Sequence, residues 1–292
     1  MKPPDFDYLA AREVGEAVAM LAQYGDRAKL LAGGQSLVPL LNFRLVQPEI
    51  LIDVSRLSDL SSVREEGGGI RIGALTRHRQ LELSPLVQNH CPILAEASKQ
   101  IGHLSIRNRG TFGGSLAHAD PAAELPMILL LLDGSVRAKS AAGERTIDAQ
   151  DFFLGYLTTA LTPSELLVEG WLPALGPQTG WGFHELTMQH GGFAIVAVGA
   201  LITLDDRGRC AEARLVVGNG GPVPIRAREA EEGLVAAQID EPAIQEAARL
   251  VTGATDPTGD LQASVEYRIE MIRVLAARAL RDALARAKAG VQ

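Results

Sequence analysis

Cysteine is scarce in this chain of 292 residues: only Cys91 and Cys210 occur, far apart and outside any CxxC or Cys/His cluster. Neither a structural zinc site nor an iron-sulfur cluster can be built from the chain alone, and each thiol reads as a lone buried one. Long apolar runs are also missing. The longest aliphatic stretch, residues 127–132, is far short of the roughly 20 residues that cross a bilayer. No basic run is present, and 28 Lys and Arg against 35 Asp and Glu leave a net charge of −7, which argues against nucleic acid as a partner. The start, Met1-Lys2-Pro3-Pro4-Asp5-Phe6-Asp7, carries acids and prolines where a secretory signal needs an apolar run, which places the protein in the cytoplasm.

What is present is a core-forming composition. Apolar residues make up 47% and charged residues 22%, so the chain is globular, with length for about two domains. Val14, Ala17, Val18 and Leu21 recur at helical spacing between residues 12 and 25. Segments 29–32 and 50–54 read as buried strands, and Gly67-Gly68-Gly69 makes a turn into a strand at 70–74. Thr76 is placed to cap a helix through Leu81, and Ile93, Leu94, Ala97 and Ile101 mark another helix at 91–101. Asp120-Pro121 is expected to cap and start a helix running through Leu132. Segments 135–138 and 166–172 read as strands, and residues 173–180 as the main linker. Beyond it, strands at 194–204 and 213–218 flank the turn Asp205-Asp206-Arg207-Gly208. Two helices follow, the last, at 264–287, with Val265, Ile269, Ile272, Leu275, Ala279 and Leu280 on one face.

Two loops stand out: Ala32-Gly33-Gly34-Gln35-Ser36-Leu37 and Thr111-Phe112-Gly113-Gly114-Ser115-Leu116. Each sets two glycines and a hydroxyl at the end of an apolar segment, where backbone N–H groups can approach an anion without obstruction by Cβ. Together they are suited to grip a diphosphate from two sides. Neither is GxGxxG or GxxxxGK[ST], so the dinucleotide and nucleoside triphosphate fingerprints are both absent. The histidines His78, His90, His103, His118 and His190 show no ligand spacing, so no metal site is expected, and His118 is of interest for its place just after the second loop. Ser36 and Ser115 lack the GxSxG elbow of a hydrolase nucleophile.

The first loop with its lead-in at Leu30, Ile72-Gly73-Ala74-Leu75-Thr76, and the stretch Ile106-Arg107-Asn108-Arg109-Gly110-Thr111 through His118, Asp120, Glu124 and Pro126 resemble the FAD-binding medium subunit of the molybdenum hydroxylases. Carbon monoxide dehydrogenase, xanthine dehydrogenase and the bacterial N-heterocycle hydroxylases make up that family. The resemblance extends to the Tyr267-Arg268 pair at the start of the last helix. It implies an α+β fold of the vanillyl-alcohol-oxidase type: FAD-binding subdomains at 1–55 and 56–176, and a C-terminal domain with an antiparallel sheet and helices at 177–292. By resemblance the FAD contacts are Lys29, Leu30, Leu31, Ala32, Gly33, Gly34, Gln35, Ser36 and Leu37 from the first loop, and Thr111, Phe112, Gly113, Gly114, Ser115 and Ala117 from the second. Ile101, Asp120, Glu124, Leu167, His184 and Phe193 complete the set, with Phe193 covering the flavin ring and His184 near it.

No catalytic residue and no metal are assigned to this chain. What the resemblance further implies is a role in electron transfer. A small subunit with two [2Fe-2S] clusters passes electrons to FAD here, a large subunit with the molybdopterin cofactor oxidises the substrate, and the complex is a dimer of heterotrimers serving an external acceptor. CO, aldehydes, purines and aromatic N-heterocycles all lie within the family's substrate range. Two other readings of the same loops are a stand-alone flavin oxidase and a non-enzymatic assembly subunit. The chain departs from the family at Met188, Gln189 and Gly192, where relatives carry charges. Without cations there, a nicotinamide nucleotide is disfavoured as the acceptor.

Overall fold

A computed structural model describes residues 2–290; Met1 and residues 291–292 lie outside the described residues. The first 53 residues build a small parallel sheet from β1 (Asp7–Ala10), α1 (Val14–Tyr24), β2 (Ala28–Leu31), α2 (Leu37–Asn42) and β3 (Ile50–Asp53). Strand β3 lies between the other two, and Leu31 at the end of β2 faces Asp53 at the end of β3. The carboxyl ends of the two strands therefore open on the same side, the usual place for a ligand in a parallel sheet.

The next segment runs through β4 (Val63–Glu66), β5 (Gly69–Gly73), α3 (His78–Leu83), α4 (Pro85–His90), α5 (Pro92–Gln100), α6 (Leu104–Arg107), α7 (Phe112–His118) and α8 (Glu124–Leu131). It continues through β6 (Ser135–Ser140), β7 (Gly143–Asp148), α9 (Ala149–Phe152), the hairpin β8 (Phe153–Gly155) and β9 (Thr158–Thr159), and β10 (Leu166–Pro173). Five of these strands form an antiparallel sheet in the order β4-β5-β10-β6-β7, and β8 and β9 pair only with each other. The chain ends in a second antiparallel sheet of β11 (Thr179–Thr187), β12 (Ala194–Leu204), β13 (Cys210–Gly218) and β14 (Ile225–Arg226), followed by α10 (Arg228–Leu234), α11 (Glu241–Gly253) and α12 (Val265–Gly290).

The second antiparallel sheet is covered on both faces, which explains the near-continuous apolar run of β12. One face joins α5 and α8 in a core with Leu125, Met127, Phe183, Ala197 and Leu201; the other packs on α10, α11 and α12 through Val196, Val198, Leu215 and Leu280. Alternate residues of β11 thus point to different layers. Gly180 and Gly182 let α12 lie directly on the strand, because a methyl at Gly182 would come within 2.8 Å of Ala279 Cα.

Four expectations from sequence are corrected. Helix α8 starts at Glu124, not at Asp120. Asp120 instead forms a turn, its Oδ1 accepting from Ala122 N at 2.9 Å, while the Pro121 carbonyl accepts from Asn219 N, just after β13, at 2.8 Å and is drawn out of a helical path. Thr76 does not cap α3, which begins after Arg77; its hydroxyl donates to Ser62 O at 3.0 Å. Three helices follow β13, the additional one being the short α10. In α12, Val265 and Ile269 are exposed and Arg268 is buried, because its guanidinium reaches Ile195 O and Asp260. Both thiols are buried, and burial pushes Cys91 up to about 12 and Cys210 up to about 11, so neither is a nucleophile at neutral pH.

Candidate flavin site

The two double-glycine loops come together. Gly33 sits so close to the lead-in of the second loop that a methyl in its place would clash with Arg109 O and lie 2.9 Å from Gly110 Cα. Gly113 is as tightly placed against Ala74, whose Cα would be 2.9 Å from an added Cβ. Across the seam, the Cβ position of Gly114 lies 4.0 Å from Ala32 Cβ.

The loops differ in what they can offer a ligand. In the second, Phe112 N donates to Thr76 O at 2.9 Å, Gly113 N to Ala74 O at 2.8 Å, Gly114 N to Thr111 Oγ1 at 3.1 Å, and Ser115 N to Thr111 O at 3.0 Å. Its backbone donors are consumed in holding its own shape. In the first, none of the N–H groups of Gly33, Gly34, Gln35, Ser36 and Leu37 donates to another protein group among the described residues. Gly34 has φ +74°, which only glycine adopts cheaply, and Gln35 Nε2 ties the loop by donating to Gly33 O at 3.1 Å. Such a run of free donors beside a left-handed turn forms a nest for an anion.

A cavity of about 380 Å³ opens in front of those donors, lined by Leu31 through Gln35, Val38, Pro39, Asp53, Ser55 and Arg109. The second loop is fixed from behind by His78, which is buried, with Nε2 2.9 Å from Thr111 O. Burial lowers His78 to about 4, so at neutral pH the ring is uncharged and donates from Nε2 to that carbonyl.

The remaining sequence-derived residues are dispersed. Lys29 is exposed on β2 outside the cavity lining, and Leu30 is half-buried. Ile101 and Leu167 are buried in the central core, Leu167 on β10 beneath α7. Ala117 is exposed, and the hydroxyls of Ser36 and Ser115 make no protein hydrogen bond among the described residues. Phe193 is 68% exposed at the end of the 188–193 loop, which packs on the other side against His103. His184 points to α12, its Nε2 2.9 Å from Asp282 Oδ2, so its ring lies in the opposite layer from Phe183.

The neighbour of His184 is a residue the sequence reading missed. Glu185 lies on the other face of β11, pairs in register with Ala197, and carries a buried Oε2 with no hydrogen-bond partner. Beside it, Glu124 is buried at the first turn of α8. Burial first, then the charges of Glu185 and Asp120, push Glu124 well above the usual carboxylate range, and burial pushes Glu185 up to about 7. A raised carboxyl binds its proton more tightly in the folded protein than in the unfolded chain, so stability falls as pH rises from about 4.5 through about 7. Glu185→Gln is therefore expected to raise the melting temperature at pH 8 by about 3 °C and leave it nearly unchanged at pH 5. Thermal scans at both pH values check this, and equal shifts at the two would contradict it.

Similarity to known proteins agrees with this geometry. The family described as FAD binding domain in molybdopterin dehydrogenase matches residues 4–175, and CO dehydrogenase flavoprotein C-terminal domain matches residues 181–283. The chain is 44% identical to the 6-hydroxypseudooxynicotine dehydrogenase complex subunit alpha of Paenarthrobacter nicotinovorans, over 99% of this chain and 97% of that one. It superposes on carbon monoxide dehydrogenase from Hydrogenophaga pseudoflava with a TM-score of 0.95 at 39% identity, covering 98% and 99% of the two chains. For quinoline 2-oxidoreductase from Pseudomonas putida 86 the TM-score is 0.93 at 34% identity, with both chains covered fully. With nearly its whole length accounted for in this way, the chain belongs to the FAD-binding subunits of the molybdenum hydroxylases.

Proposed function

We propose that this chain carries electrons from the two [2Fe-2S] clusters of a small partner subunit, through FAD, to an external acceptor, while a large molybdopterin subunit oxidises the substrate. The assembly is a dimer of heterotrimers in the cytoplasm. The observation that carries the reading is the run of unused N–H groups from Gly33 to Leu37, of which Gly33, Gly34 and Gln35 line the cavity that Arg109 also lines. A diphosphate is the part of FAD that fits such donors, since hydrogen bonds to a charged acceptor are the strong ones. When bound, FAD supplies the electron chemistry, and the protein supplies position and electrostatics. Gly33, Gly34 and Gln35 hold the anion, Thr111 and His78 keep the second loop against the first, and Phe193 closes over the ring from the 188–193 loop.

The division into units at 1–55, 56–176 and 177–292 belongs to the same reading and is supported by every sheet falling wholly within one unit. The acceptor is a compound other than a nicotinamide dinucleotide. Supporting this, Met188, Gln189, His190, Gly191, Gly192 and Phe193 include no Lys or Arg to meet a phosphate. The substrate is chosen in the large subunit: relatives of this chain serve complexes named for carbon monoxide, caffeine and nicotine. Affinity purification of the tagged chain from its host tests the reading. Recovery of an iron-sulfur and a molybdenum subunit with it is expected; recovery of the chain without either would contradict it.

A further inference from the structure

The cavity in front of the first loop carries side chains that neither loop uses. Arg109 enters it from the lead-in of the second loop, and its backbone carbonyl is pressed against Gly33 and accepts from Arg77 Nη1. Its guanidinium makes no hydrogen bond or ion pair among the described residues. Burial first, then the charge of Arg109, lowers Arg77 against the opposing pull of Asp53, so two guanidiniums stand near one carboxylate, and among the described residues no carboxylate is bonded to either. In a chain of net charge −7, this is a local excess of positive charge, and like charges held together are relieved when an anion comes between them.

Asp53, which ends β3, lines the same cavity as Arg109. Its Oδ1 accepts from Ser55 N at 2.7 Å and its Oδ2 from the Tyr8 hydroxyl, which fixes the carboxylate plane. Burial alone would raise this carboxyl, but the hydrogen bonds from Tyr8 and Ser55 and the charge of Arg56 hold it below its ordinary value. An ionised carboxylate has about four acceptor positions, so two remain for hydroxyl donors.

We propose that Arg109 binds the diphosphate of the flavin dinucleotide and that Asp53 accepts from the hydroxyls of its adenosine ribose, so that the pair selects FAD over FMN. This inference rests on the flavin reading above. Chemistry separates the two ligands: FMN has one phosphate and no second ribose, so it offers Arg109 a smaller anion and Asp53 nothing.

The test is fluorescence titration of the flavin-stripped complex, this chain with its co-expressed partners, with FAD and FMN. Arg109→Gln is expected to weaken FAD by about 10- to 100-fold, with Arg109→Lys recovering part of the loss and ADP no longer competing with FAD. Because Arg109 is exposed and unpaired, the variant keeps its fold, checked by circular dichroism. Asp53→Asn is expected to weaken FAD by about tenfold and leave FMN unchanged. FAD affinity within twofold of wild type in Arg109→Gln would overturn the role of Arg109. Equal weakening of FAD and FMN in Asp53→Asn would overturn the role of Asp53. A wild-type complex that binds neither flavin would instead overturn the flavin reading and this inference with it.

Discussion

Gly33→Val is expected to leave the protein folded and almost free of flavin. A Cβ at this position clashes with Arg109 O and comes within 2.9 Å of Gly110 Cα, both backbone atoms that no rotamer change can move. The conflict is resolved only by parting the two loops, which turns the N–H groups of Gly33 through Leu37 away from one another. Losing convergent donors to a charged ligand is worth on the order of 3 kcal/mol, or about 100-fold in affinity. The fold survives because the loop contributes little to the three cores, among whose buried residues Leu30 and Ala32 appear only as partly buried neighbours. Flavin released on denaturation, measured per chain, checks the expectation, and full occupancy in the variant would contradict the loop's role. Gly113→Ala is a harsher change for the fold, since its Cβ meets Ala74 Cβ and Cα within the central core.

Arg268→Leu is expected to have the opposite profile, destabilising the third sheet while sparing flavin binding. Arg268 is 2% exposed, donates to Ile195 O, and pairs through Nη2 with Asp260 Oδ2 at 2.7 Å. Asp260 also caps the turn before α12 by accepting from Gln262 N and Ala263 N, and those bonds with Arg268 hold its carboxyl below the ordinary range. Leucine fills less of the space and removes the cation that joins β12 to this turn. The Ile195 carbonyl keeps a partner in Asn219 Nδ2 at 3.1 Å, which limits the loss. The Asp260 carboxylate left behind is half-exposed and takes water as its partner, so losing the guanidinium's bonds and packing costs about 2 kcal/mol, seen as a fall of about 5 °C in melting temperature. Unchanged melting would mean that the pair contributes nothing beyond what a packed leucine provides.

Much of this was legible because it is local. The alternating and continuous apolar patterns of β10, β12 and β13, the glycine-rich turns and the amphipathic α1, α5 and α11 depend on neighbours within a few residues. The two double-glycine loops were legible as glycine pairs, but their difference was not. They look alike in sequence, and only the pairing of Phe112 and Gly113 with Thr76 and Ala74 consumes the donors of one and leaves those of the other. The start of α8 was displaced by Asn219, about 100 residues further along, binding the Pro121 carbonyl.

Cavity residues followed the same rule. Asp53 and Arg109 are 56 positions apart in the chain, and nothing in the spacing of either announces that both line one wall-to-wall space. The parallel pairing of β2 with β3 is the signal that would have drawn attention to Asp53. His184 and Glu185 show how a strand's period of two decides function: with α12 on one face of β11 and α8 on the other, a shift of one residue exchanges an imidazole bound to Asp282 for a carboxyl beside Glu124.

The central claim, that the first loop of this chain holds FAD, is tested most directly by the absorbance spectrum of the chain purified with its co-expressed partners, with the cofactor identified after denaturation. Flavin bands, and release of FAD in proportion to this chain, are the expected result. A complex that contains iron and molybdenum but yields no flavin after incubation with FAD would contradict it.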